Sequence, residues 1–317
     1  MSLPIIFDTD PGVDDAQAIA LLFADPEFEV IGLTTTFGNV PVATATRNAL
    51  LLTELAGRDT PVAAGVAEPL IKLAGNHALH VHGQDGLGNQ QLPEPSQTPH
   101  ALDAARFIIE QTRLRPGEIT LVAVGPLGNL ALALALDPTV ADRVREVVVM
   151  GGAIVEPGNV TPVAEANIFS DPHAAARVFA ASWPLTLVGL DATHRAVLDP
   201  PRLQRIAACQ GALGEVLARS YDFYADFYRS VKDIDGCHPH DSCALAYLRR
   251  PELFHTARGH LSVGTEGLAE GQTFFAPEGR VYQDGRWSGN PPMTVCLGMD
   301  GAAMVAWMEE VLTAAAQ

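Results

Sequence analysis

Short apolar runs rich in Val, Ile and Leu alternate along this chain with longer stretches of helical period. That alternation marks parallel strands buried on both faces by crossover helices. The spacing predicts strands over 4–9, 30–37, 119–124, 146–150 and 185–190. It predicts helices over 16–24, 43–55, 101–111 and 174–181, with a closing helix over 302–315. The fold class is therefore α/β. Each predicted strand ends in something polar or Gly-rich, and ligands of open α/β sheets bind beyond the carboxyl ends of the strands. Two segments read as loops able to fold over a ligand: 75–89, rich in Gly and His, and 151–172, which carries Gly, Pro, Asn and Glu. No fixed-period repeat, low-complexity tract or linker divides the chain, so one domain over 1–317 is expected.

Composition narrows the function. Of 317 residues 48% are hydrophobic and 18% charged, which supports a sizeable core. The formal charge is −17, and Lys72 and Lys232 are the two lysines. Such a chain repels phosphate backbones and anionic lipid, so neither nucleic acid nor a membrane is an expected partner. Excess carboxylate suits a hard divalent cation if several acids converge. No stretch nears the roughly 18 apolar residues of a membrane span, and the first residues carry no basic leader, so a cytoplasmic protein is expected. Four cysteines are too few and too irregular for a disulfide framework. Cys237, His238, His240 and Cys243 are too crowded for a zinc site and lack a second Cys pair.

The densest chemistry follows the first strand, where Asp8, Asp10, Asp14 and Asp15 fall within eight residues between an apolar strand and an apolar helix. Repulsion among them is costly unless a cation or hydrogen-bond donors hold them. Three readings stand. The acids bind a divalent metal; or Asp14 and Asp15 cap the helix, whose dipole favours negative charge; or Asp8 and Asp10 serve as nucleophile and acid of an aspartyl phosphatase like the haloacid dehalogenases. An EF-hand is excluded, because the twelfth position from Asp8 or Asp10 is Ile19 or Leu21 rather than Glu.

The run Asp8-Thr9-Asp10-Pro11-Gly12-Val13-Asp14-Asp15-Ala16 resembles the N-terminal signature of the inosine-uridine nucleoside hydrolase family. Matches continue at Thr36-Phe37-Gly38-Asn39, Val81-His82-Gly83 with Gly86-Leu87-Gly88, Gly125-Pro126-Leu127, Met150-Gly151-Gly152, Asn159 with Glu165 and Asn167, and His240-Asp241. The resemblance implies an open, mostly parallel Rossmann-like sheet with the active site at the strands' C-terminal ends. It implies Ca²⁺ held by Asp10, Asp15, the Val124 carbonyl and Asp241, an oxygen-only set suited to that ion. Asp14 and Asn39 would hold the ribose 2′- and 3′-hydroxyls, with Met150, Asn159, Glu165 and Asn167 toward the 5′ side and ring face.

The implied reaction is attack of a metal-held water on the anomeric carbon, with Asp10 as general base, releasing ribose and free base. His82 and His240 would assist the departing base, and Tyr224 or Tyr228 would touch it. Direct displacement predicts inversion. His at both places points to broad or pyrimidine-leaning specificity. The resemblance also implies a homodimer or homotetramer in nucleoside salvage or catabolism. A calcium-dependent nucleoside sensor without turnover is the non-enzymatic rival. Val124 and Gly128 stand where the family often has Thr, and Ser242-Cys243 where it often has Pro-Leu.

Overall fold

The structure is a computed structural model describing residues 2–314. Among the described residues nine strands form one sheet: β1 (Leu3–Thr9), β2 (Phe28–Thr35), β3 (Val62–Ala64), β4 (Thr120–Ala123), β5 (Glu146–Met150), β6 (Leu185–Val188), β7 (Phe254–Val263), β8 (Thr273–Pro277) and β9 (Pro292–Met299). Their order is β3-β2-β1-β4-β5-β6-β9-β7-β8. Every pair from β3 through β9 is parallel; β7 runs antiparallel to both β9 and β8.

Strand alternation sends side chains to two apolar layers. Ile5 and Phe7 of β1, with Val122 and Val148, enter one layer; Ile6, Leu121, Val147 and Val149 enter the other. The helices that cover these faces are α1 (Val13–Ala24), α2 (Val42–Leu55), α3 (Leu79–His82), α4 (Ala104–Leu114), α5 (Gly128–Leu136), α6 (Val140–Arg143), α7 (Ala166–Ser170) and α8 (Pro172–Phe179). They continue with α9 (Leu190–Thr193), α10 (Pro200–Cys209), α11 (Gly211–Lys232), α12 (His240–Arg249) and α13 (Gly301–Ala314). Strand order reverses between β1 and β4: the chain runs outward to β2 and β3 on one side and to β5 and β6 on the other. That switch point opens a crevice at the strands' C-terminal ends, between the residues after Thr9 and those after Ala123.

The expected elements form, with shifted ends. β2 stops at Thr35 instead of 37, because Phe37 leaves the sheet and donates its N–H to the Val66 carbonyl. β6 stops at Val188 instead of 190, where Gly189 begins the turn into α9. Helix α4 begins at Ala104, three residues later than expected, because the Asp103 carboxylate caps it by accepting from Arg106 N–H. Helix α8 begins two residues earlier, with Asp171 as its cap and Pro172 in its first turn. The closing helix is described to Ala314; position 315 lies outside the described residues. All four cysteines are free thiols. Among the described residues, no helix is long and apolar enough to cross a membrane.

Candidate active site

The acidic run after β1 divides by direction. Asp8 is still in the strand, and its Oδ1 accepts from Thr34 Oγ1 at 2.5 Å and from Asn129 Nδ2 at 2.7 Å. Burial raises its carboxyl to about 7, against those two bonds. Asp8 lines none of the cavities described below. That placement is poor for a phosphatase nucleophile, which must meet its substrate.

Asp10 lies just past the strand end. Its Oδ2 accepts from Asn39 N–H at 2.6 Å, and its buried Oδ1 has no partner among the described residues. Glycines make the room: a Cβ at Gly38 would sit 2.0 Å from Asp10 Oδ2, and one at Gly125 would sit 2.5 Å from Asp10 Oδ1. Asp15 is held from four sides, by Thr9 Oγ1, Gly12 N–H at 2.9 Å, Asn39 Nδ2 at 3.1 Å and Asp10 N–H at 3.2 Å. Its bond from Gly12 N–H also caps the start of α1 from within the first turn. The capping and clustering readings of this run coexist in one side chain.

Helix α12 brings Asp241 to the same place from its own first turn. Asp14, Asp15 and Asp241 each offer a carboxylate oxygen within 4.8 Å of the other two. Full charges at that separation repel by about 3 kcal/mol per pair at an effective dielectric of about 20. Burial, and then the neighbouring carboxylates, push Asp10 and Asp241 well above the usual range; Asp14 rises for the same reasons, and burial lifts Asp15 against its hydrogen bonds. Among the described residues, none of the four accepts a hydrogen bond or ion pair from Lys or Arg. An all-oxygen cluster with unpartnered Asp10 Oδ1 and Asp14 Oδ1 fits a divalent cation. The Val124 carbonyl, the remaining expected ligand, accepts from Asn167 Nδ2 at 2.7 Å.

Above the cluster is a cavity of about 540 Å³. Asp14, Asn39, Val124 and Asp241 lie along it, as do Met150, Asn159, Glu165 and Asn167, and so do His82, Tyr224, Tyr228 and His240. Asp15 does not line it, and Asp10 faces an adjoining space. Glu165 caps α7, accepting from Asn167 N–H at 2.9 Å and Ile168 N–H at 3.1 Å, and also takes Gly152 N–H at 2.9 Å. Burial raises its carboxyl. Asn159 Oδ1 accepts from Ala166 N–H at 3.0 Å, so its turn role is real as well.

On the same cavity, His82 Nδ1 accepts from Val13 N–H at 3.1 Å, which puts the ring proton on Nε2. The ring stacks on Tyr224, and burial with nearby His80 holds its pKa at about 3. His240 Nε2 lies 2.9 Å from Tyr228 Oη and its Nδ1 lies 2.8 Å from Thr193 Oγ1. Tyr228 Oη is in turn 3.4 Å from Tyr224 Oη. Burial, then the surrounding imidazoles, keep His240 neutral.

Sequence reading missed Thr193, His194, Phe227 and Lys232, the last three of which line the cavity. The signal for Thr193-His194 was available: polar residues just beyond the C-terminal end of a predicted strand. The cysteines near His240 turn elsewhere, Cys237 toward Gln17 Nε2 and Cys243 toward the Pro239 carbonyl. Trp183 and Trp307 are buried in the core, Trp287 packs on Phe274, and none lines the cavity.

A parallel-sheet switch point with a carboxylate-floored pocket defines an α/β enzyme that holds a small polar substrate beside a buried metal-type cluster. The chain belongs to the inosine-uridine preferring nucleoside hydrolase family, whose model matches residues 5–306. It is a nucleoside hydrolase. Probable uridine nucleosidase 2 of Arabidopsis thaliana is 42% identical over 306 residues, 95% of this chain and 94% of its own length. The inosine-uridine preferring nucleoside hydrolase of Crithidia fasciculata is 40% identical over 272 residues, 84% of this chain and 85% of its own. A plant nucleoside hydrolase structure superposes with a TM-score of 0.95 at 38% identity, covering 99% of this chain and 100% of the other. The purine-preferring ribonucleoside hydrolase from Gardnerella vaginalis gives 0.91 at 31% identity, with 99% of each chain covered.

Proposed function

We propose that this enzyme hydrolyses the N-glycosidic bond of ribonucleosides, uridine included, by direct displacement with Asp10 as general base. The observation that carries the reading is that two kinds of group line one cavity. Polar oxygens of Asp14, Asn39 and Asp241 line it together with the hydrogen-bonded Tyr228–His240 pair, whose imidazole is neutral. A calcium ion held by Asp10, Asp15, Asp241 and the Val124 carbonyl would polarise the attacking water and offset the cluster's charge.

Asp10 takes the proton from that water through its unpartnered Oδ1. Asp14 and Asn39 hold the 2′- and 3′-hydroxyls. Glu165, Asn159 and Asn167 hold the 5′ side, and Met150 packs against the sugar face. These oxygens stabilise positive charge as it develops on the ribose, already oriented by the loop bonds described above. The departing base gains negative charge, and His82 offers it an Nε2–H donor. His240 is neutral, so it orients the Tyr228 hydroxyl through their hydrogen bond and does not store a proton as imidazolium.

The uridine nucleosidase relatives and the two histidines support broad or pyrimidine-leaning specificity. We extend the reading to a single-domain cytoplasmic enzyme of nucleoside breakdown or salvage, acting as a homodimer or homotetramer. Light scattering tests the last point. The decisive assay is ribose release from uridine, cytidine, inosine and adenosine by calcium-loaded protein, chelator-stripped protein and Asp10→Asn. Turnover confined to the loaded, unmodified enzyme is expected, with inverted ribose as the first product by NMR. Tight nucleoside binding with no ribose released would select the sensor instead.

A further inference from the structure

The Asp10 carboxylate opens on a second cavity of about 140 Å³ between the 72–78 loop and α7. Asn39, Ala78, Val160, Ala166 and Asn167 border both cavities and form the partition between them. At the outer end, Lys72, Asn76 and His77 supply polar lining, and residues 73–76 are exposed to solvent. At the inner end is Asp10, 1% exposed, whose Oδ2 lies beside Gly38 and accepts from Asn39 N–H, both of them lining residues. Tyr228 and His240, which serve the departing base, line the main cavity and not this one.

Direct displacement requires nucleophile and leaving group on opposite faces of the anomeric carbon. A nucleoside filling the main cavity obstructs access to Asp10 from that side. An ordered water needs about 10–15 Å³ and two to four polar partners. The side cavity meets both needs several times over.

We propose that this side cavity is a water site and conduit, distinct from the nucleoside's path, that supplies the hydrolytic water to Asp10. The inference rests on the hydrolase reading above. Two lining positions allow it to be filled without touching Asp10. Ser170 makes no side-chain hydrogen bond among the described residues, and a Cβ at Gly75 would meet nothing within 4 Å.

A crystal structure with a non-hydrolysable nucleoside analogue decides the occupancy. Ordered waters leading from the Asp10 carboxylate toward residues 74–76, with the analogue confined to the main cavity, are expected. A dry side cavity, or one entered by the analogue's sugar, overturns the proposal. In rapid-mixing single turnovers, Ser170→Phe should slow hydrolysis about ten-fold with analogue affinity unchanged, while Ser170→Ala keeps the parent rate. Gly75→Leu, on the exposed loop, serves if Ser170→Phe does not fold. An unchanged rate with the cavity filled in the variant's crystal structure, or a slower rate with Asp10 displaced, overturns it too. Failure of the hydrolase reading looks different: the unmodified enzyme would release no ribose.

Discussion

Asp10 owes its position to what its neighbours lack. Gly38 and Gly125 stand where any Cβ would overlap its carboxylate, so two missing side chains define where the base sits. The backbone of Gly38 is not in the left-handed region, so alanine is conformationally acceptable there, and the cost falls on Asp10. A misplacement of about 1 Å costs on the order of 100-fold in rate. Gly38→Ala should therefore lower kcat about 100-fold while the melting temperature moves by only a few degrees, and Gly75→Ala should match the parent enzyme. Steady-state kinetics beside thermal melts would test this, and a Gly38→Ala enzyme of normal kcat would remove steric placement as the explanation. At this scale the sequence was informative, because four acids in eight residues at a strand end have few inexpensive explanations. It could not show that Asp8 turns away toward Asn129 while Asp10 turns toward Asn39. That depends on strand alternation and on partners 121 and 29 residues distant.

Helices α11 and α12 meet through Tyr228 and His240 and together build the base wall. Tyr224 and Tyr228 are one turn apart on α11 and present both hydroxyls to the same face; α12 begins at His240 and delivers its ring to Tyr228. If this chain supplies a proton to the departing base, removing one hydroxyl should matter only when the leaving group needs one. General acid catalysis is worth about 100-fold to 10,000-fold. Tyr228→Phe should accordingly lose at least about ten-fold in kcat on uridine and little on 4-nitrophenyl riboside, whose phenolate leaves unprotonated. Equal losses on both substrates would reassign Tyr228 to packing. The elements legible in advance were those with a continuous apolar signature, as in β1, β4, β5 and β6, buried along their length. Strand β7 was not legible, because its exposed positions interrupt the pattern, nor was β9, which inserts between β6 and β7 from far along the chain. Thr193 and His194 reach the site because β6 ends early and the chain turns at Gly189 into a four-residue helix.

Across the whole molecule, the site is maintained against its own electrostatics. Asp10, Asp14, Asp15 and Asp241 all have carboxyl pKa values above those of an unfolded chain, with burial the first cause. The folded state therefore binds protons more tightly than the unfolded one. For such groups the stabilising contribution is complete below the unfolded value of 3.8 and is lost as pH rises through the folded values. His82, His238 and His240 act oppositely: their lowered pKa values make stability rise with pH until about 6.5, the unfolded histidine value. Above neutrality the histidine contribution is flat and the carboxylates decide. Chelator-stripped protein should thus lose melting temperature as pH rises toward the folded values of these carboxyls. Calcium, which binds the deprotonated cluster, should raise it by an increment that grows with pH. Asp241→Asn removes one of the mutually repelling charges, so at pH 8 it should melt above the stripped parent enzyme while releasing no ribose and showing little response to calcium. Scanning fluorimetry across pH, with chelator or calcium, reads all three. If stripped Asp241→Asn melts well below the stripped parent at pH 8, the four carboxylates are already balanced within the fold, and the charge argument for a cation at this site fails.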